Sequence, residues 1–303
     1  MSLSLKLLIV GAAAALAGVA AFSPRDRTPP LIPAGPPAGL ELVASFAEEF
    51  DGSAVDWGRW ISGYYDPRRD QPTIAKRNLW NNRELQVYFD PAFLGLGINP
   101  FRVADGILTI TAEPMSQPAL AAVGRAISEQ PAAIRNSAIR NVRYSSGMVS
   151  TRGRFAQKYG YFEIRARWSS GKGVWPAFWM LPATGKWPPE IDILEAHGDK
   201  PGTAFHSTHS GVSPSTTKTE KYPGDPKDFH VYGALWTAQS IDYFVDGVKT
   251  ASLPTPGDMH QPMYLLANLA IGGSWPGTPD AATTFPATMQ IDYIRAWRFK
   301  DPD

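Results

Sequence analysis

The chain has 303 residues, 44% of them hydrophobic, enough to bury a full core, and one large all-β domain of about 200 to 250 residues is an ordinary outcome for that length. Its 29 basic and 28 acidic residues leave no electrostatic lean toward nucleic acid or an anionic membrane surface, and a neutral polymer suits it as a partner. Cysteine is absent, which excludes disulfides, thiolate metal sites and a thiol nucleophile.

Residues 1–22 carry Lys6 and then the apolar run Leu7 to Phe22, with small residues near Gly18-Val19-Ala20-Ala21. The run is shorter than the ~20 residues of a spanning helix, so it reads as a secretory signal peptide, with an uncleaved anchor as the alternative. Residues 23–40 follow with Arg25, Arg27 and the prolines of Thr28-Pro29-Pro30 and Pro33-Ala34-Gly35-Pro36-Pro37, the composition of an extended spacer. Residues 41–303 are left as the folded domain. There the pattern is of short alternating strands between turn signals: Gly106 to Ala112, Tyr161 to Arg167, and Ile241 to Val245 with an Asp246-Gly247 turn after it. Ser116 to Ser145, rich in Ala, Gln, Asn and Arg, reads as an inserted loop with one helical turn. No long amphipathic helix is expected, and all-β content with dispersed Gly and Pro points to a two-sheet sandwich. The ten tryptophans suit sugar faces as well as a sandwich core, and Trp168, Trp236 and Trp297 are assigned to the core.

The densest chemistry lies in Pro188-Pro189-Glu190-Ile191-Asp192-Ile193-Leu194-Glu195, three carboxylates within six residues among apolar neighbours. On a strand, Glu190 and Asp192 share one face, and a regular strand would turn Glu195 to the other. A β-bulge at Ile193-Leu194 repairs this, returning Glu195 to the acidic face while Ile191, Ile193 and Leu194 point inward. Three carboxylates on one face repel, so at least one keeps its proton near neutrality, as an acid/base pair requires. Glu190 and Glu195 then stand about 13 Å apart at Cα at the usual rise of ~3.3 Å per residue. A bend can bring their side chains toward the ~5–5.5 Å of a nucleophile and general acid acting on a glycosidic bond. An acidic strand edge in solvent, or one holding a metal, is the alternative for the triplet taken alone.

The surrounding segments narrow this. Gly147 to Thr151, Tyr159 to Arg167, Gly171 to Pro182, the carboxylate strand, Asp258 to Tyr264, Asn268 to Gly277 and Ile291 to Arg295 together resemble the retaining glycoside hydrolases of family sixteen over about residues 42 to 299. The five-residue spacing of the glutamates matches that family's bulged branch.

The resemblance implies a jelly roll of two antiparallel sheets with a concave substrate cleft. It makes Glu190 the nucleophile, Glu195 the general acid/base and Asp192 their partner, with residues 41–303 the catalytic domain. Trp175 and Trp179 become sugar platforms, Trp275 a subsite wall, and Asn82, within Asn81-Asn82-Arg83-Glu84-Leu85-Gln86, lines one end of the cleft. His206 and His209 are both candidates to hydrogen-bond the carboxylates. Alternation lets only one enter the cleft, and His206 is preferred. Glu49 and Asp292 resemble a pair that holds a structural calcium, while catalysis needs no cofactor. The expected protein is a monomeric, secreted or periplasmic endo-β-glycanase. It would cut β-1,3 or β-1,4 bonds of a glucan or a bacterial exopolysaccharide, Trp187-Pro188-Pro189-Glu190 looking most like succinoglycan-type depolymerases. A laminarin-type endo-β-1,3-glucanase and a catalytically silent glycan-binding module are the alternatives.

Overall fold

The computed structural model describes residues 35–225 and 227–300, so the expected signal peptide and most of the spacer lie outside the described residues. The strands are β1 (Leu42–Glu48), β2 (Gln86–Tyr88), β3 (Phe101–Ala104), β4 (Ile107–Pro114), β5 (Tyr144–Ser146), β6 (Met148–Ser150), β7 (Gly160–Trp168) and β8 (Val174–Pro182). They continue with β9 (Glu190–Glu195), β10 (Thr203–His209), β11 (Thr216–Lys221), β12 (His230–Trp236), β13 (Ser240–Val245), β14 (Val248–Pro254), β15 (Met263–Ile271) and β16 (Ala287–Phe299). They form a six-stranded sheet in the order β11-β10-β9-β8-β15-β6 and a ten-stranded sheet built on β14-β13-β12-β7-β16-β4-β5-β2, with β1 on β16 and β3 on β4. All pairings are antiparallel except β2 with β5, giving the all-β sandwich expected from the sequence.

Alternation along each strand decides what lies between the sheets. In β7, Phe162, Ile164, Ala166 and Trp168 enter the core, and in β9 Ile191, Ile193 and Leu194 meet them from the other sheet. Each of the larger of these side chains, removed from water, stabilises the fold by roughly 1.5–3 kcal/mol. Trp168 and Trp236 lie in this core, whereas Trp297 is buried in a small outer cluster with Tyr161 and Phe244. The β13–β14 hairpin turns at Asp246 (φ 52°) and Gly247 (φ 76°). Two positive φ values define the type I′ turn whose twist matches the flanking strands, which is why Asp-Gly stands there.

The insertion departs from expectation. Helix α1 (Gln117–Ser128) runs for 12 residues, capped by the Ser116 Oγ, which accepts from the Ala119 amide at 3.4 Å, with a proline in its first turn. Ala119, Val123 and Ile127 recur every fourth residue and cover a second apolar cluster containing Ile74, Val87, Phe89 and Phe93. The apolar stripe is narrow and alanine-rich, so it reads as loop composition until a partner surface is seen. The insertion also anchors the cleft rim: the Arg143 and Tyr144 amides both donate to the Leu85 carbonyl, at 2.7 and 3.1 Å, fixing the segment around Asn82.

Candidate active site

The outward face of the six-stranded sheet lines a cavity of ≈ 520 Å³, with Glu190, Asp192 and Glu195 all on its wall. The bulge that brings them there is visible in the pairing. Asp192 faces Trp179 and Leu194 faces Phe178, so Ile193 has no ladder partner of its own on β8, and on β10 the register slips between Phe205 and Ser207. Ile193 and Leu194 are both fully buried, and their apolar contacts hold the irregular strand.

The three carboxylates sit in different surroundings. Asp192 is almost wholly buried, with His209 Nε2 at 3.2 Å from its Oδ2 and at 3.8 Å from Glu190 Oε1. Glu190 Oε2 accepts from the Trp187 indole at 2.7 Å, and Glu195 Oε1 from the Trp175 indole at 3.0 Å. Burial pushes both glutamates well above the usual carboxylate range; the charge of Asp192 adds to this in both, and that of Glu195 in Glu190. Donation to the Asp192 carboxylate pulls His209 upward, against its partial burial. Glu190, Asp192 and His209 each bring a donor atom within 4.8 Å of the others, the one group among the described residues with the reach of a metal site.

The tryptophans divide the work. Trp175 is only 9% exposed, packs at 79° to Trp275 with ring centroids 5.5 Å apart, and turns its indole N–H onto Glu195. Trp179, 7% exposed, forms cleft floor with Tyr64 at 6.0 Å, and its indole donates to Asn268 Oδ1 at 2.7 Å. Trp275 is 42% exposed and is backed by His197 at 4.3 Å and Phe205 at 4.7 Å. Asn82 lines the cavity and donates to Glu84 Oε1 at 3.1 Å; burial lifts Glu84 to about 7, so this neighbour can carry a proton too.

Two assignments need correction. His206 lies between the sheets, its Nδ1 2.7 Å from the Ile193 carbonyl oxygen and its ring stacked on Tyr243 at 4.7 Å, where burial lowers it to about 4. His209 is the histidine of the cleft, three residues on and therefore on the other face. Glu49 and Asp292 are each already engaged by a guanidinium. The Arg295 guanidinium donates to both Glu49 oxygens at 2.7 and 2.9 Å, and Arg165 donates to Asp292 at 2.7 Å. Two carboxylates each neutralised by a guanidinium are a poor donor set for calcium, which needs several free oxygens.

Sequence reasoning gave no role to Tyr64, Arg152, His197 or Asn268, which reach the cleft or its backing from distant segments and carry no local signal. Trp187 was in plain view three residues before Glu190, yet nothing in the spacing shows that its N–H turns back onto that carboxylate.

A sandwich with a cleft across one sheet and paired glutamates on a bulged strand of that cleft is the arrangement of a retaining glycoside hydrolase. The chain belongs to glycosyl hydrolases family 16, whose sequence model matches residues 119–295. It is 39% identical over 259 residues to the endo-1,3-1,4-beta-glycanase EglC of Rhizobium meliloti (strain 1021), and equally so to ExsH of the same organism, covering 84% of this chain and 52% of either relative. The chain thus spans about half the length of these curated relatives. Among solved structures it is similar to the catalytic domain of an endo-1,3-beta-glucanase (laminarinase) from Thermotoga petrophila RKU-1, with a TM-score of 0.67 at 30% identity, covering 86% of this chain and 100% of that one.

Proposed function

We propose that this chain is a retaining endo-β-glycanase in which Glu190 is the nucleophile and Glu195 the general acid/base. The observation that carries this reading is the Ile193 bulge, which sets both glutamates, half-buried and without a cationic partner from Arg or Lys among the described residues, on the wall of one cavity. Burial and mutual repulsion let one carboxyl keep its proton while the other is ionised, the state from which double displacement starts. Glu190 Oε1 attacks the anomeric carbon as the glycosidic C–O bond breaks, and the leaving oxygen takes the proton of Glu195. Glu195, now ionised, removes a proton from water, which attacks the same carbon and frees Glu190. Asp192 and His209 share a contact beside the nucleophile and tune its charge. A silent glycan-binding module would have no need to keep three costly carboxylates at the bottom of its groove.

The similarity to relatives named endo-1,3-1,4-beta-glycanase and endo-1,3-beta-glucanase supports a β-1,3 or β-1,4 linked glucan, or a bacterial exopolysaccharide, as the polymer. No helix among the described residues is long and apolar enough to cross a membrane, and the leader-like composition of residues 1–22 supports a secreted or periplasmic enzyme. Early-time proton NMR on laminarin, mixed-linkage glucan and a succinoglycan-type exopolysaccharide tests the reading. Internal cleavage with the β-anomer formed first is expected on at least one of them. A first-formed α-anomer on any of them contradicts it.

A further inference from the structure

Both glutamates are held by an indole N–H, but the two tryptophans differ. Trp175, under Trp275, is 9% exposed, whereas Trp187 leaves 65% of its surface in water while donating to Glu190 Oε2 at 2.7 Å. An exposed tryptophan with its polar atom committed to a cleft carboxylate is neither core packing nor a stray surface residue. It lines the same cavity. An indole donates and never accepts, so this contact favours the ionised carboxylate. It acts against burial and then the charges of Asp192 and Glu195 on β9, which push the proton on. The cavity wall also carries the titratable and charged groups His209 on β10, Tyr264 on β15, Tyr64, Glu84, Arg152 and Lys186.

We propose that Trp187 is a positioning residue for Glu190. Its N–H clamps Oε2, which leaves Oε1 as the attacking atom, and its exposed ring forms the wall beside the sugar under attack. The proposal rests on Glu190 being the nucleophile. When Oε1 forms the new bond to the anomeric carbon, the bonding pair of the old bond leaves with the glycosidic oxygen, which takes the Glu195 proton, and Oε2 becomes the ester carbonyl oxygen still facing the indole.

Trp187→Phe removes the donor and keeps a ring, while Trp187→Ala removes both; at an exposed position neither should impair folding, which circular dichroism checks. Two readouts apply. Carbon-13 NMR of the Glu190 carboxyl, assigned by its disappearance in Glu190→Gln, should show Trp187→Phe titrating about one pH unit higher than wild type, the size expected for losing a hydrogen bond to a charged group. On a β-glucan, the acid limb of the kcat profile should move upward with it. There kcat should fall about tenfold as Glu190 loses its orientation, with KM within about twofold of wild type. Trp187→Ala should add a rise in KM of about tenfold. An unshifted Glu190 titration in Trp187→Phe overturns the proposal, as does a defect confined to KM, which would make Trp187 a platform only. If the titration shifts but wild type hydrolyses none of the β-glucans, the clamp stands and the glycanase reading falls.

Discussion

Both outward faces of this sandwich bury carboxylates, and they treat them in opposite ways. On the ten-stranded sheet, Glu49 is gripped by Arg295 and Asp292 by Arg165, while Glu163, fully buried, accepts from the Tyr161 and Tyr293 hydroxyls and the Gly35 amide. On the six-stranded sheet, Glu190, Asp192 and Glu195 have two indoles and one imidazole, and no Arg or Lys pairs with them among the described residues. The acids paired with a guanidinium fasten strands together, while burial pushes Glu163, held by hydroxyls and an amide, upward. Acids crowded without cations hold protons near neutrality and can pass them on. The same fold therefore supplies a structural face and a reactive one, and what sets the reactive one apart is three carboxylates crowded on the wall of one cavity.

That contrast can be broken from either side. The largest effect is expected at the reactive face: Glu190→Gln keeps shape but cannot attack, so kcat should fall on the order of 10⁴-fold or more, with the far-ultraviolet dichroism spectrum unchanged. At the structural face, Arg165→Met removes the guanidinium that donates to the nearly buried Asp292. Because Arg165 is itself 20% exposed, the loss is set at about 2 kcal/mol, below the range for fully buried pairs, and urea unfolding should register it while kcat of the folded enzyme stays put. The smallest effect reverses the usual sign. The folded-state pKa of Glu190 lies above its unfolded value, so the wild-type side chain adds stability below the unfolded pKa and loses that contribution as pH rises through the folded one. Glu190→Gln cannot ionise. It should melt about 2–4 °C above wild type at pH 7.5, a gain of about 1 kcal/mol that closes as pH falls toward 4. A variant no more stable than wild type at pH 7.5 would mean that the cleft carboxylates are compensated after all.

Much of this was legible in the chain. The alternation of β7 and β13, the Asp246-Gly247 turn and the bulge at Ile193-Leu194 follow from period-two patterning and turn chemistry, which are local properties. The carboxylate face followed from the same arithmetic. What escaped was non-local. Helix α1 gains its stability from Ile74, Val87, Phe89 and Phe93, so its sparse Ala119-Val123-Ile127 stripe could not announce a helix alone. His206 and His209 could be separated in face by counting, but which face met the cleft depended on β10 pairing with β9 across the bulge. Arg295 and Arg165 are far in sequence from Glu49 and Asp292 or on a neighbouring strand, and no spacing rule shows that guanidinium groups occupy those carboxylates.

The claim that Glu190 is the attacking carboxylate is tested most directly by trapping the glycosyl-enzyme with an activated 2-deoxy-2-fluoro β-glucoside and mapping the adduct by peptide mass spectrometry. The fluorine slows both displacements, and the activated leaving group spares the first one the need for Glu195, so the ester should accumulate. The account predicts one equivalent of label on Glu190, absent from Glu190→Gln; a label on Asp192 or Glu195 would contradict it.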